Sequence, residues 1–237
     1  MSIEFEFEVN WGRNFSSSMI WQKVCQVLDI IGHGFVEEFE GVRRSYDEIF
    51  ELLEAHDADF FYRTDDLSIS LISFSDEKVD RLLIAPPQKS RDTLMEQFAL
   101  IGSGGFCRWG RVYDSEYNKI QNKKDLRELQ VLGVDVTSWA IKSNGLPPPL
   151  RKDVIDVASN PGRNIIVKGD IEAVGSTMWL SNEWCADHDV LPNNLNCISL
   201  SVFDGGILVT FYDSCFDSWT GDQRSVQERV WKELYGQ

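Results

Sequence analysis

The sequence predicts an α+β fold, in which mostly antiparallel sheet packs against several amphipathic helices. Segments with strand periodicity and segments with helix periodicity do not alternate regularly along the 237 residues, whereas a doubly wound parallel fold needs that alternation. Short turns join neighbouring strand-like segments, and such turns connect antiparallel strands. With 43% hydrophobic residues, the chain is apolar enough to bury a full core.

The N-terminal segment, residues 3–9, predicts a strand, because Ile, Phe, Phe and Val alternate with three glutamates. Side chains alternate between the faces of a strand, so we expect one face to join the core and the other to be acidic. Ser45 and Glu48 have the spacing of a capping box at the start of a helix. Apolar stripes predict helices over residues 16–31, 45–54, 90–100, 123–131 and 222–235.

Residues 67–85 predict a hairpin, since two alternating segments flank the acidic turn residues Asp76 and Glu77, and two prolines follow. The Asp-Gly-Gly sequence at 204–206 predicts a second hairpin, because glycine tolerates the positive φ of tight turns. The predicted strands after the first are 67–71, 81–85, 106–113, 165–167, 172–180, 197–203 and 207–212.

A stiff proline segment bears on the domain organisation. Consecutive prolines fix φ and remove backbone donors, so Pro147–Pro149 predicts a connector. We predict a single α+β domain over residues 1–237. Two sub-lobes, 1–145 and 151–237, joined by this connector are the alternative, since the length suits either arrangement.

The charge is strongly negative and uneven along the chain. There are 38 acidic and 23 basic side chains, which gives −15. Residues 1–80 hold 18 acids and 6 bases (−12), residues 81–170 hold 10 and 14 (+4), and residues 171–237 hold 10 and 3 (−7). An acidic protein repels phosphate backbones and anionic bilayers, so we expect neither nucleic acid nor membrane as a partner.

The residue types that carry enzyme chemistry form no complete motif. Residues 185–189 contain Cys, His and two Asp, but a structural zinc site needs four ligands and no second pair matches. The glycine-rich residues 102–105 fail the spacing of a nucleophile loop. Asp114, Gln121 and Lys123 loosely imitate a nuclease triad, but the segment between them is too polar for a buried strand. We therefore predict no catalytic residues, no metal and no cofactor.

The cysteines and the N-terminal segment indicate a cytoplasmic location. The five cysteines are scattered without a Cys-x-x-Cys pair, which is typical of reduced thiols. The first residues lack the basic start and continuous apolar core of a signal peptide. No apolar run approaches the roughly 20 residues that cross a bilayer.

Acidic and aromatic residues combine in the last third of the chain. Tryptophan is enriched at interface hot spots, and acidic loops suit a basic partner. Packing of Trp219 on Trp231 is the alternative for that side chain. The predicted partner-binding residues are Asp187, Asp189, Asp213, Asp217, Trp219 and Asp222.

Three segments carry a resemblance to a known group of proteins. They are residues 111–117 with Gln121-Asn122, residues 156–163 ending in Asn-Pro-Gly-Arg, and residues 172–180 with Met-Trp-Leu, followed by Trp184. The combination resembles uncharacterised bacterial immunity proteins of polymorphic-toxin, contact-dependent and type VI secretion systems. The resemblance extends over roughly residues 106–185 and implies a cognate protein toxin as partner, without assigning binding residues.

The same segments also have a purely structural interpretation. Asn160, Pro161 and Gly162 are turn residues, and Arg163 could anchor the turn to a carboxylate or to backbone carbonyls. The large side chains at 178–184 are expected in the core, because aromatic residues stabilise mainly through burial.

These features favour an immunity protein that sterically blocks a cognate toxin, such as a nuclease with a basic active-site cleft. An acidic surface would steer association with that cleft and exclude substrate. A non-catalytic scaffold or regulatory binding module is the first alternative. A hydrolase or transferase with dispersed residues is the second, and it would join carboxylates to His188 or His33 in a deep pocket. The sequence specifies no oligomeric state.

Overall fold

A computed structural model describes residues 2–9, 15–30, 38–39, 42, 44–56, 59–63, 67–74, 79–167 and 170–236. The strands in these ranges are β1 (Ile3–Val9), β2 (Glu38–Phe39), β3 (Phe60–Arg63), β4 (Ser68–Phe74), β5 (Val79–Ala85), β6 (Cys107–Asp114), β7 (Ile141–Ser143), β8 (Asp153–Ile155), β9 (Asn164–Val167), β10 (Asp170–Ala173), β11 (Thr177–Ser181), β12 (Ser199–Phe203) and β13 (Gly206–Thr210). The α-helices are α1 (Ser17–Ile30), α2 (Tyr46–His56), α3 (Arg91–Ser103), α4 (Ser115–Gln121), α5 (Leu126–Val131), α6 (Asn182–Asp187) and α7 (Gly221–Tyr235).

Nine strands form one antiparallel sheet in the order β12-β13-β11-β6-β1-β5-β4-β3-β2. Two small antiparallel ribbons, β9–β10 and β7–β8, lie outside it. The predicted α+β class with mostly antiparallel sheet is therefore confirmed. The large sheet takes strands from both sides of the Pro147–Pro149 connector. The choice between one domain and two lobes stays a prediction.

The first core lies between one sheet face and helices α1 to α3. Phe5 and Phe7 of β1 are fully buried there, against Phe98 of α3. The predicted capping box starts α2: the Ser45 amide donates to Glu48 Oε2 at 2.6 Å, and the Glu48 amide donates to Ser45 Oγ at 3.2 Å. Reciprocal capping satisfies amides that the first helical turn leaves unpaired.

The second core lies on the other face of the sheet, toward its β13 end, under α6, α7 and the β9–β10 ribbon. The predicted core residues Met178, Trp179 and Trp184 are all fully buried. Met178 and Trp184 belong to this second core with Trp231 of α7, whereas Trp179 points to the first core. The alternation of β11 therefore supplies side chains to both faces.

A third, smaller core joins α5 to the β7–β8 ribbon around Leu129, Trp139 and Ile155. Beside it, the segments that carry the family resemblance contact one another. Asn160 Nδ2 donates to the Gln121 carbonyl at 2.8 Å, and a Cβ at Gly162 would lie 2.5 Å from the Gln121 side chain. The Asn-Pro-Gly-Arg turn thus packs against the end of α4 as framework.

Arg163 is anchored by the backbone. Its Nη1 donates to the Asn160 carbonyl at 3.2 Å, which confirms the carbonyl alternative for this turn. Its guanidinium carbon also lies 3.0 Å from the centroid of the Trp231 ring, in cation–π geometry. The turn is therefore held to α7.

The structure differs from the sequence predictions at several elements. The segment predicted as one strand over 172–180 forms two strands in different sheets, β10 and β11, with residues 174–176 between them. A Cβ at Gly175, in this connection, would lie 2.6 Å from the Val112 carbonyl oxygen. Gly102, the first of the glycine-rich residues 102–105, lies in the last turn of α3. Helix α4 was not predicted, although Asp114 caps it by accepting from the Tyr117 amide at 2.8 Å.

The acidic face of β1 is the most informative difference. The sequence predicts core on one face and acid on the other, and the acidic face is indeed formed by the glutamates. Glu6 and Glu8 are nevertheless only 1% and 4% exposed. These two carboxylates belong to a buried ionic layer and not to the acidic surface.

Candidate functional site at the Trp219 groove

The segment that leads from β13 into α7 carries four of the six predicted contact residues. They are the exposed Asp213 and Asp217, the partly buried Trp219, and the exposed Asp222 in the first turn of α7. Gly221 has a φ of +68°, which glycine adopts at little cost, and it turns the chain into the helix. The helix dipole favours a carboxylate at the position of Asp222.

Trp219 joins two cores. Its side chain packs against the second core, which contains Trp231, and against the third core around Leu129. The sequence allowed two interpretations of Trp219, as a partner-binding residue or as a residue packed on Trp231. Its position fits both, since the indole is held by packing and is also partly exposed. An indole held in this way loses little conformational entropy when a partner binds.

A groove of about 230 Å³ lies beside the indole, and none of the described residues that line it is basic. Asp114, Glu116 and Asp217 supply three carboxylates, and Tyr117 and Ile120 complete the wall with Trp219. The Tyr117 hydroxyl donates to Gln227 Oε1 at 2.8 Å, which ties this wall to α7.

Hydrogen bonds fix the carboxylates of the groove. Asp114 accepts from the Ser2 amide at 3.0 Å, in addition to capping α4. Asp217 and Gln223 bond reciprocally: the Asp217 amide donates to Oε1 at 2.8 Å, and Nε2 donates back to Oδ1 at 2.9 Å. The hydrogen bond from Lys119 to Glu116 lowers the pKa of the Glu116 carboxyl, which keeps it ionised.

This arrangement suits a cationic group with an apolar stem. An exposed indole face attracts cations through its quadrupole, and carboxylates add direct attraction. Lysine and arginine side chains combine a cationic end with an aliphatic stem that can lie against an aromatic ring. The groove can thus bind a basic side chain.

The remaining two predicted residues lie elsewhere. Asp187 ends α6 and pairs with Arg108 at 2.8 Å, and the exposed Asp189 follows it with a φ of 55°. The neighbouring His188 ring lies 5.9 Å from that of Tyr235, at the C-terminal end of α7. Helix α7 rises about 21 Å between its ends. The structure therefore brings together Asp217, Trp219 and Asp222, but places Asp187 and Asp189 at the opposite end of α7.

His188 has a packing role. Its ring stacks on Trp184 with 4.1 Å between centroids, and its Nδ1 lies 3.0 Å from the Trp184 carbonyl oxygen. His33 lies outside the described residues. Within the described ranges, no three His, Cys, Asp or Glu side chains are placed to hold a metal ion.

The buried ionic layer lies between β1, β6 and the β9–β10 ribbon. Arg111, 1% exposed, donates from Nε to Glu6 Oε2 at 2.7 Å, and Arg81 approaches Glu6 at 3.5 Å. Glu8 accepts from Trp109 Nε1 at 2.8 Å and from the Ile171 amide at 3.1 Å. The layer therefore attaches the ribbon to the sheet.

The two buried carboxyls shift in opposite directions. Burial alone raises the pKa of Glu6, but the charges of Arg111 and Arg81 outweigh it and hold the pKa below its ordinary value. For Glu8, burial prevails over its hydrogen bonds and raises the pKa. Two guanidinium groups act on Glu6, whereas Glu8 has Arg108 at 3.5 Å and its pKa is raised further by the charge of Asp170.

Sequence reasoning missed the residues that complete the groove. Asp114 and Glu116 are about a hundred positions from Trp219, and no local pattern signals that contact. The buried layer did leave a signal, because Arg111 lies between Gly110 and Val112 in a predicted strand, and a buried arginine needs a partner.

The chain is thus an α+β protein with a large antiparallel sheet, and its surface carries an acidic groove beside Trp219. No family model matches the chain, and no curated protein matches it. Among solved structures, the fold is similar to that of the Pseudomonas aeruginosa T6SS protein PA0821, with a TM-score of 0.52 and 11% sequence identity, over 99% of this chain and 73% of that one. At this identity the similarity shows a common fold. No described helix is both long and apolar enough to cross a membrane.

Proposed function

We propose that this protein is a component of a bacterial type VI secretion context, and that it acts there as an immunity protein. It would bind a cognate toxin and block the toxin's active site by covering it. The observation that carries the proposal is the Trp219 groove, whose described lining has three carboxylates and a fixed indole but no basic residue.

The fold supports the secretion context. PA0821, a T6SS protein, has a similar fold over nearly the whole of this chain. The resemblance of residues 106–185 to immunity proteins points in the same direction, and those residues form the framework on which the groove is built.

The electrostatics support a basic partner. A net charge of −15 would accelerate encounter with a basic cleft. The groove would then receive one lysine or arginine of that cleft, with the indole as anchor. Inhibition would need only occlusion, and no bond would be made or broken by this chain.

The test co-expresses this chain with each protein that is encoded beside its gene and is toxic when expressed alone. Co-expression should restore growth, and the purified pair should bind. Trp219→Ala should weaken binding by about 30-fold or more, the effect of removing an interface hot spot of about 2 kcal/mol. Asp217→Asn should weaken it less and mainly slow association, with a smaller effect at high salt.

Asp204→Asn is the matched control, because it removes an exposed carboxylate from the β12–β13 turn. This variant should bind within about twofold of the wild type, since isolated rim charges contribute little. If no neighbouring toxin binds, or if Trp219→Ala binds as tightly as wild type, the proposed mode of neutralisation is wrong.

A further inference from the structure

We propose that two copies of this chain pair through strand β12, antiparallel about a two-fold axis at Leu200, so that the large sheet continues from one copy into the other. This inference is independent of the proposed function. It concerns the strand edge at one end of the sheet and not the Trp219 groove.

Strand β12 is an open edge. It ends the order of the nine-stranded sheet, and β13 is its one partner among the described strands. Three of its five residues are exposed, and Val202 is 74% exposed. Such an edge presents a row of backbone donors and acceptors to any strand of matching shape.

The edge lacks the usual protection against pairing. Proteins commonly protect edge strands with lysine, proline or inward-pointing charge. No charged residue occurs between Asp189 and Asp204, and β12 contains no proline. About a quarter of the chain is charged, so this neutral stretch stands out. It is also where two copies of a −15 protein can approach without direct repulsion between facing side chains.

The sequence of the edge is symmetric about its centre. Residues 198–202 read Ile-Ser-Leu-Ser-Val, an apolar–serine alternation that is the same in both directions. An antiparallel pair centred on Leu200 places Ile198 opposite Val202 of the second copy, twice, and Leu200 opposite its own equivalent. Ser199 then faces Ser201. The apolar pairs therefore share one face of the continued sheet and the serine pairs share the other. Cross-strand pairs of like residue types stabilise sheets.

The strand is already held in place for pairing. Arg229 Nη2 of α7 donates to the Asn196 carbonyl at 2.9 Å, and the Asn196 amide donates to Glu233 Oε2 at 3.2 Å. On the other side, β12 is in register with β13 from Ser199↔Thr210 to Phe203↔Gly206. A pre-ordered edge loses little further entropy on association.

Sedimentation velocity on the full chain, over a concentration series reaching roughly 1 mM, tests the pairing. The wild type should form a dimer. Val202→Lys and Ile198→Glu should each raise the dimer dissociation constant by roughly tenfold, because each puts two charges opposite apolar residues at symmetry-related positions. Ile198 is 55% exposed and Val202 more so, and neither substitution should disturb the monomer.

The double variant decides the register. Ile198→Glu with Val202→Lys places a lysine opposite a glutamate twice across the axis, and it should return the dissociation constant to within about threefold of the wild type. Residues 198 and 202 lie about 13 Å apart within one strand, so the two charges cannot compensate each other inside a single copy. Ile141→Lys, at a 53% exposed position of β7, is the control and should leave association unchanged.

The other outcomes would overturn the proposal. A wild type that stays monomeric throughout the series excludes a second copy as the occupant and leaves the edge to a strand of another protein. A dimer that Val202→Lys does not weaken uses a different surface. Loss in both single variants without recovery in the double variant rejects the register centred on Leu200.

Discussion

Replacing Arg111 with methionine should cost this fold about 3 kcal/mol of unfolding free energy. Arg111 is 1% exposed and provides the shortest contact to Glu6, at 2.7 Å. Removing one partner of a buried ion pair costs about 3–5 kcal/mol, because the other charge stays buried. The lower end applies here, since Arg81 at 3.5 Å and Asn164 at 3.3 Å still face the carboxylate.

Urea unfolding followed by tryptophan fluorescence measures this loss, since the chain has eight tryptophans. Domains of this kind are stable by about 5–15 kcal/mol, so Arg111→Met should stay folded but unfold at much lower urea. Arg127→Met, at an exposed position of α5, is the control and should change stability by less than about 0.5 kcal/mol.

The double variant Glu6→Leu/Arg111→Met separates the pair from simple loss of packing. Removing both charges leaves no uncompensated carboxylate, so the double variant should recover at least half of the loss. A loss below about 1 kcal/mol in Arg111→Met would refute the reasoning, as would a double variant that loses the sum of the two single effects.

Two further predictions concern stability. Burial raises the folded pKa of Glu8 above its ordinary 4.5, so the contribution of Glu8 to stability should fall as the pH rises from about 4.5 through the raised pKa. Glu8→Gln should flatten that slope in urea unfolding at several pH values, and an unchanged slope would contradict the shift. Gly175→Ala should cost about 1–3 kcal/mol, because its Cβ would meet the Val112 carbonyl oxygen and the Arg111 side chain. Gly205→Ala should cost little, since the nearest atom is 3.7 Å away, and equal losses in a thermal melt would refute the packing argument.

Local patterns predicted the parts of the fold that depend on local physics. The capping box of Ser45 and Glu48 forms as expected, because both of its hydrogen bonds lie within four residues. The predicted hairpin around residues 204–206 also forms, although neither Gly205 nor Gly206 adopts the left-handed φ on which the prediction was based. The burial of Met178 and Trp184 follows from their size.

The features that sequence patterns did not predict depend on which distant residues pack over a given surface. Alternation in β1 gives two faces but does not say that Arg111, more than a hundred positions away, will cover the glutamates. The predicted contact residues are separated in the structure for the same reason. Asp187 and Asp222 lie near opposite ends of α7, and local sequence patterns do not show which segments pack against each end. Similarly, Asp114 reaches the Trp219 groove only through the packing of α4 against α7.

Hydrogen exchange of this chain, alone and mixed with a toxin that it neutralises in the co-expression test, tests the proposed binding through the Trp219 groove most directly. We predict slower exchange in residues 211–222 and in α4 when the toxin is bound, since these segments form the Trp219 groove. We also predict that Trp219→Ala removes that protection. Protection confined to other segments, or exchange that the toxin leaves unchanged, would contradict neutralisation through this surface.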